Sequence, residues 1–451
     1  MRQQEYLELL TEQLRCKKAR GMVEEEIRSH IEEQKCAYIE DGMDEEDAEE
    51  EAVRQMGDPV ETGIELNRIH KPQMAWDMIA LVIFLSGVGL LIQYLLSVHF
   101  ENSSFMPSPA KAVLYFVLGI AVMLGICMID YSRIGKWAKV LYLVLTGMDI
   151  FCLLSEGIGY VGKIELLGMQ LNALLLLFVP LYGAILHSYR GQGYQAVGKA
   201  ILWASPVFLI TLLSVNISMM IVMLLSLGVT LAIAVYKRWF QVSRKLILSS
   251  LGGFAIIVPV TIACAINFFG TEYQKMRVAS WMHPFQVDQE HAYGRFTLDF
   301  VANNQWIGRN HLLNAEEWSS KLPGGNDYML AYIASYYGIL AAVVIVGLMI
   351  ILFLRCMHIS LLQRNQLGMI MGSGCVVVLF VQFAFYVLCN VGFLPSAIYC
   401  PFITYGGGGM ITTCVLFGIL LSVYRYQNVL GEIRSQKKIK ITFKVEEQKY
   451  D

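Results

Sequence analysis

The chain has 451 residues, of which 56% are hydrophobic and only 16% are charged, and its mean hydropathy is +0.51. This composition excludes an ordinary soluble domain and indicates a membrane protein. The net charge of −2 conceals an asymmetry, because residues 1–71 hold 20 acidic and 10 basic residues whereas the rest holds 17 and 25. The ten cysteines show no CxxC pair or metal-ligand spacing, so neither a disulfide framework nor a zinc site is expected.

Residues 1–71 are predicted to form a small cytoplasmic domain of four short helices. Val23 and Ile31 lie on one apolar helix face, Asp44 is a candidate N-cap, and Gly57 is a stop signal. The N-terminus lacks the apolar core of a signal peptide, so no cleavable signal is expected. The segment resembles the short prefix domains that precede some bacterial permease-like membrane proteins. Its charges either only keep it soluble or provide a docking surface for a cytoplasmic partner.

Ten apolar segments follow, each about as long as the 20 or so residues that a membrane span needs. They lie near residues 76–98, 110–130, 136–155, 164–187, 197–215, 217–236, 246–269, 326–354, 367–390 and 403–424. The predicted fold class is therefore all-α, with ten transmembrane helices over residues 76–425 and a basic tail over residues 426–451.

The orientation follows from the basic residues of alternate short loops, which favour the cytoplasmic side. These residues are Arg133, Lys136, Arg190, Lys199, Lys237, Arg238, Arg244, Lys245, Arg355 and Arg364. Both termini are thus predicted to be cytoplasmic in a multi-pass protein of the plasma membrane. The large loop over residues 270–325, between the seventh and eighth spans, is then outside.

This outer loop combines aromatic and cationic side chains. Its tryptophans could simply anchor it at the membrane interface. Its cations, which are Arg277, Arg295, Arg309 and Lys321, also suit a ligand that carries phosphate. The loop histidines match no standard metal spacing, so no metal site is predicted. Loops longer than about 15 residues are commonly functional, and Asp327 stands where this loop enters the eighth span.

Two stretches carry a family resemblance. The first, "CNVGFLPSAIYCPFITYGGGG", covers residues 389–409 and follows a glutamine, Gln382. Its matching residues are Asn390, Gly392, Leu394, Pro395, Pro401, Phe402, Ile403, Tyr405, Gly406 and Gly407. The second comprises "RVASWMHP", with Arg277, Trp281 and Pro284, and "LPGGNDYMLAYIASYYG", with Leu322, Pro323, Asp327, Ile333 and Gly338. Together they resemble the SEDS family (shape, elongation, division and sporulation), the FtsW/RodA/SpoVE group.

The resemblance implies a peptidoglycan glycosyltransferase that polymerises lipid II, a disaccharide-pentapeptide on undecaprenyl pyrophosphate, at the outer face of the membrane. Asp327 is then the general base. The residues expected to bind substrate are Arg277, Arg295, Arg309, Lys321, Trp281, Gln382, Asn390 and Tyr405. A divalent cation, Mg²⁺ or Mn²⁺, would fit the chemistry, although no dedicated site is identified. The implied partner is a class B penicillin-binding protein, a transpeptidase, and no nucleic acid is expected.

Other interpretations stay open. Asp327 alone could be a helix N-cap, and the glycines after Tyr405 favour close helix packing over a phosphate cradle. Ser335 and Tyr336 replace two glutamates of the family pattern, which favours a non-catalytic regulator or scaffold of cell-wall synthesis. A transporter that flips a lipid-linked precursor would need polar residues at mid-membrane, where Asp149 and Asn172 are the main candidates in the first six spans.

Overall fold

The computed structural model describes residues 1–99, 109–156, 165–166, 169–214, 216–282, 304–310, 328–394, 399–404 and 406–427. Among these residues, Met1–Lys71 belong to one compact unit and Pro72–Gln427 form a second. The tail predicted over residues 426–451 lies almost wholly outside the described part.

The first unit contains the four predicted helices. They are α1 (Gln3–Glu12), α2 (Lys17–Glu40), α3 (Glu45–Gln55) and α4 (Pro59–Ile69). Their apolar faces meet in a core of Tyr6, Leu10, Leu14, Val23, Ile31, Ala52 and Val53. Asp44 stands at the N-cap of α3 as predicted, although its side chain makes no capping hydrogen bond. Gly57 follows the end of α3 with a φ of 80°. Asp58 caps α4 by accepting from the Val60 N–H at 2.9 Å.

Over the residues that the structure describes, the regular structure of the second unit is helical apart from one two-residue antiparallel pair, β1 (Glu165–Leu166) with β2 (Met169–Gln170). Its helices are α5 (Trp76–His99), α6 (Pro109–Met128), α7 (Tyr131–Lys136), α8 (Ala138–Glu156), α9 (Phe178–Ser188), α10 (Tyr194–Leu213), α11 (Ile217–Tyr236), α12 (Arg244–Phe269), α13 (Glu272–Met282), α14 (Met329–Tyr337), α15 (Ile339–Leu361), α16 (Gln366–Asn390) and α17 (Gly407–Arg425). Eight of these helices are long and apolar enough to cross a membrane within the described residues, namely α5, α6, α10, α11, α12, α15, α16 and α17. The chain is an all-α, multi-pass membrane protein.

Two of the ten predicted spans are wrong as continuous helices. The segment predicted over residues 164–187 contains the β pair, then a 3₁₀ helix (Leu171–Leu177), and only then α9. The segment predicted over residues 326–354 is divided at Gly338 into the short α14 and the long α15. Hydropathy indicates that these residues are removed from water, but it does not indicate whether their backbone is helical. A break in a membrane helix is tolerated where its backbone is buried inside the protein.

The core of this unit lies around α16 and α17. Most of α16 is buried against α9, α11, α15 and α17. α17 packs closely on α6, because Gly119 and Gly418 each leave room for a side chain of the other helix, namely Cys414 and Ile126. In contrast, few residues of α6 and only Ile247 of α12 are buried, as expected of helices that face lipid. The C-terminal end of α16 positions the candidate site.

Candidate functional site

The break at Gly338 is where segment 304–310, from the loop between α13 and α14, docks on the bundle. The Gly338 backbone has φ 99° and ψ 160°, which ends α14 and begins α15. Segment 304–310 then pairs with the exposed backbone: Ile339 N–H donates to the Gln305 carbonyl at 3.0 Å and Leu340 N–H to the Trp306 carbonyl at 3.1 Å. A Cβ on Gly338 would stand 2.5 Å from the Trp306 carbonyl oxygen. The glycine therefore permits both the turn and the docking.

A further contact ties the same segment to α14. The Asn310 N–H donates to the Ser335 carbonyl at 2.8 Å, and the Asn310 side chain donates to the Asn304 side chain at 3.0 Å. Asn310 is only 3% exposed. α14 is itself buried from Met329 to Tyr336. Segment 304–310 is thus joined by hydrogen bonds to α14 at one end and to the start of α15 at the other.

The N-terminus of α14 is capped by side chains of another helix. Its own N-cap residue, Tyr328, makes no side-chain capping bond. Instead, the Tyr386 hydroxyl accepts from the Met329 N–H at 2.9 Å and the Asn390 side-chain oxygen accepts from the Ala331 N–H at 3.0 Å. Helix starts leave four N–H groups without intrahelical partners, and here α16 satisfies two of them. The start of α14 is consequently held at a defined place over α16.

These two residues belong to a polar stripe on an apolar helix. Gln382, Tyr386 and Asn390 follow one another at intervals of four residues, so they share one face of α16. The Gln382 amide donates to the Tyr399 carbonyl at 2.9 Å. The Tyr399 hydroxyl lies 3.2 Å from the Thr413 hydroxyl, and burial raises the pKa of Tyr399. The stripe therefore joins α14, residues 399–404 and α17.

Residues 399–404 form a tight turn that contains Thr404, at a position where the family pattern has a serine. The Thr404 hydroxyl accepts from the Cys400 N–H at 3.0 Å and donates to the Cys400 carbonyl at 2.9 Å. A serine at this position would carry the same hydroxyl, so the threonine preserves the turn.

Phe402 has a φ of 66°, and its carbonyl oxygen would lie 2.0 Å from a Cβ on Gly89. A Cβ on Gly409 would meet the Tyr399 ring at 3.0 Å, so this glycine lets the turn lie close to the start of α17.

Arg309 is the one predicted cation whose side chain lies within the described residues. Its guanidinium carbon is 5.0 Å from the ring centroid of Tyr336, a cation–π contact. The residue is exposed, whereas Tyr336 is 7% exposed. The family pattern has a glutamate at position 336. The tyrosine ring therefore contacts the arginine without adding a negative charge beside it.

The other predicted residues are only partly located. Gln382 and Asn390 are buried, 1% and 4% exposed, and both bond to backbone groups of the fold. Arg277 and Trp281 belong to α13, but their side chains are outside the described part. The remaining predicted site residues, Asp327, Arg295, Lys321 and Tyr405, also lie outside the described residues.

Sequence reasoning missed Tyr386 and Asn310. Tyr386 could have been found from its spacing, because a tyrosine four residues from Gln382 and four from Asn390 completes a polar face in an apolar run. Asn310 carried no such signal, since its role depends on a contact with the distant Ser335. Asn216 caps α11 by accepting from the Met219 N–H at 3.0 Å.

Within the described residues, no group of three His, Cys, Asp or Glu side chains could hold a metal ion. The divalent cation suggested by the family chemistry thus stays a prediction.

Several known proteins are similar to this chain in sequence or in structure. The peptidoglycan glycosyltransferase MrdB of Escherichia coli (strain K12) is 21% identical over 372 residues, which cover 79% of this chain and 97% of that protein. A chain of a peptidoglycan synthase complex, solved to study structural coordination of polymerization and crosslinking, is 20% identical with a TM-score of 0.63 over 78% of this chain and 99% of that chain. The rod shape determining protein RodA of Thermus thermophilus is 17% identical, with a TM-score of 0.51 over 78% and 97% of the two chains.

At such identities the structural similarities establish the fold alone. The family itself is established by the profile of the FtsW/RodA/SpoVE cell cycle proteins, which matches residues 74–429. This match begins after the N-terminal helical unit and covers both stretches that carry the resemblance. The chain belongs to the FtsW/RodA/SpoVE family of cell cycle proteins.

Proposed function

We propose that this protein is a peptidoglycan glycosyltransferase that polymerises lipid II at the outer face of the plasma membrane. The observation that carries the proposal is the cap on α14. Asp327 is separated from Met329 by one residue, and the Met329 N–H is held by Tyr386 while Asn390 holds Ala331. These two bonds hold the residues that follow Asp327 in the sequence. A base must be held within reach of the proton that it removes.

In the proposed reaction, a hydroxyl of the acceptor sugar attacks the anomeric carbon of the donor. The new carbon–oxygen bond forms as the bond to the diphosphate breaks, and the Asp327 carboxylate accepts the hydroxyl proton. The diphosphate leaves with its bonding electron pair and gains negative charge. Positively charged groups or a divalent ion would stabilise that charge.

Arg309 is suited to binding the diphosphate leaving group. Its guanidinium is planar and contacts the Tyr336 ring at 5.0 Å, so its N–H groups can still point outward at phosphate oxygens. Arg277, Arg295 and Lys321 are further candidates in the same outer loop. Asn390 and Gln382 of the polar stripe are proposed to shape the substrate-binding site rather than to react.

Orientation and partner belong to the same proposal. Both termini are placed in the cytoplasm by the basic loops, which leaves the α13–α14 loop outside, where the acceptor glycan is found. A class B penicillin-binding protein is the proposed partner, since one structural relative is a chain of a peptidoglycan synthase complex that combines polymerization and crosslinking.

The test is polymerisation of lipid II by the purified full-length protein, with and without Mg²⁺ or Mn²⁺, beside Asp327→Asn. The wild type should give glycan chains, and a well-folded Asp327→Asn should give none. The alternative, a non-catalytic regulator, is supported by the replacement of two family glutamates by Ser335 and Tyr336. It would be favoured if the wild type made no glycan even with its transpeptidase present.

A further inference from the structure

Two loops at one end of the bundle are joined into a single surface. They are residues 189–193, between α9 and α10, and residues 237–243, between α11 and α12. The Gly191 N–H donates to the Trp239 carbonyl at 2.8 Å. The Trp239 ring also meets the His187 ring edge to face, with centroids 5.5 Å apart. The charged side chains of both loops therefore belong to one surface.

This surface is basic and contains no acid. Between residues 166 and 271 the sequence has no aspartate or glutamate. The same stretch has six lysines and arginines, which are Arg190, Lys199, Lys237, Arg238, Arg244 and Lys245. Within the part of the chain that the structure describes, none of the six forms an ion pair with a carboxylate. Grouped like charges repel one another, so an anion from outside the chain would stabilise them.

Aromatic rings position two of these cations. The Arg190 guanidinium carbon is 5.5 Å from the centroid of the Trp239 ring, and that of Arg244 is 5.5 Å from the Tyr236 ring. A cation–π contact orients a guanidinium without neutralising its charge. The N–H groups at its edge stay available to phosphate oxygens.

A pocket of about 450 Å³ opens in this surface where α12 begins, and we call it the basic pocket. Its lining residues are Arg238, Gln241, Val242, Ser243, Arg244 and Lys245. Three of the six are cations and none is an acid. Ser243, the N-cap residue of α12, makes no side-chain capping bond, so the first N–H groups of this long helix add positive partial charge there. The basic pocket is therefore complementary to an anion.

The surface beside the basic pocket is apolar. Leu246 follows Lys245 directly and is 59% exposed, and Phe254 and Ile257 farther along α12 are exposed as well. Exposed Tyr236 ends α11 at the other side of the loop, and such aromatic residues are common at the membrane–water interface. A phosphate in solution would contact only the pocket. A phospholipid would contact both the pocket and the apolar surface next to it.

We infer that the basic pocket binds the phosphate of an anionic phospholipid whose acyl chains lie along the first turns of α12. Basic pockets beside membrane helices recognise anionic headgroups by this combination of contacts. α12 buries only Ile247 in the protein, so a lipid bound at its start would anchor a helix that has few other contacts there. The inference does not depend on the proposed glycosyltransferase activity.

Native mass spectrometry of the purified full-length protein tests the inference. The probes are dioleoylphosphatidylglycerol, which is anionic, and dioleoylphosphatidylcholine, which is zwitterionic. Arg238→Gln/Lys245→Gln changes two exposed side chains of the pocket and should leave the fold intact. It should weaken binding of the anionic lipid about tenfold or more and leave binding of the zwitterionic lipid unchanged. A wild type that bound both lipids equally would overturn the inference.

Arg133→Gln/Arg364→Gln is the matched control. It also removes two positive charges at exposed positions, one in α7 and one between α15 and α16, on the side that the sequence predicts to be cytoplasmic. Neither residue lines the basic pocket, so this variant should bind the anionic lipid as the wild type does. Equal weakening by the two double variants would assign the preference to overall charge and exclude the pocket.

Two further measurements distinguish charge from packing and a lipid from a soluble phosphate. Arg238→Lys/Lys245→Arg keeps both charges and should bind the anionic lipid within about threefold of the wild type. A loss as large as that of the glutamine variant would contradict recognition by charge. Glycerol 3-phosphate, which has the phosphate but no acyl chains, should not displace the lipid at equal concentration. Displacement as strong as that by free phosphatidylglycerol would assign the pocket to a soluble phosphate instead.

Discussion

The Asn390 side-chain oxygen accepts the backbone N–H of Ala331 at 3.0 Å, across 59 residues of sequence. Both residues are buried, and the bond replaces a cap that α14 does not make for itself. A buried hydrogen bond of this kind connects the packing of α16 with the start of the helix that follows Asp327. Stability and activity should therefore both depend on it.

The cap predicts a selective loss of activity. Asn390→Ala and Tyr386→Phe each leave one N–H of α14 without its acceptor. Each should lower the free energy of unfolding by about 1–2 kcal/mol. The resulting displacement of the start of α14 should lower the rate of lipid II polymerisation about tenfold or more. Thermal unfolding of the purified protein and initial polymerisation rates measure the two effects.

Tyr182→Phe is the matched control. It removes a buried hydroxyl that donates to the Ala200 carbonyl at 3.3 Å, between α9 and α10. It should lower stability by a comparable amount and leave polymerisation unchanged. If Tyr182→Phe and Tyr386→Phe reduced activity equally, the effect would be general destabilisation rather than positioning.

Gly338→Ala should be strongly destabilising. The substitution forces a side chain into a backbone with φ 99° and places its Cβ 2.7 Å from the Ile307 Cα. A loss of about 1–3 kcal/mol is expected from the strained backbone alone, together with release of segment 304–310, which limited proteolysis would detect. Gly347→Ala in α15, where a Cβ meets nothing within 4 Å, should be neutral or slightly stabilising. Similar behaviour of the two variants would contradict the proposed docking.

The contact of Arg309 with Tyr336 predicts a difference between two substitutions. Tyr336→Phe keeps the aromatic ring, so the arginine should stay in place and polymerisation should change little. Tyr336→Leu removes the ring and a cation–π contact worth about 0.5–1 kcal/mol at an exposed site. The KM for lipid II should then rise about two- to fivefold with a smaller change in kcat. Equal KM values for Phe and Leu would show that the ring does not position Arg309.

The N-terminal unit should lose stability at high pH. Burial raises the pKa of Tyr6 above its usual value of 10.0, and Asp58 adds to the rise. Above pH 10 the unfolded chain then releases this proton more readily than the folded one, so the free energy of unfolding falls as the pH rises. Circular dichroism of residues 1–71 between pH 9 and about 11.5 should show this decline.

Tyr6→Phe should flatten the alkaline decline in stability. At neutral pH it should lower the free energy of unfolding by about 1 kcal/mol, because the Tyr6 hydroxyl donates to the Met56 carbonyl at 3.1 Å. Tyr38→Phe, at a half-buried position of α2, controls for removal of a tyrosine. An unchanged alkaline profile in Tyr6→Phe would assign the decline to other groups.

Much of the architecture could be predicted from the sequence because it depends on local composition. Hydropathy located α5, α6, α8, α10–α12, α16 and α17 to within a few residues, since an uncharged run of about 20 residues has few alternatives to a span. The four N-terminal helices followed from periodicity and stop signals. The motifs around Asp327 and Asn390 identified the family, which the profile match confirms.

What the sequence determined by itself is therefore the membrane class, the run of spans and the family to which the candidate residues belong. Only the tertiary structure decided what those residues do to one another. The division at Gly338, the cap from Tyr386 and Asn390, and the ring beneath Arg309 each join segments that are distant in sequence or separated by a turn. Local propensity is set by neighbours along the chain, whereas these contacts are set by how helices pack, so no window of sequence contains both partners.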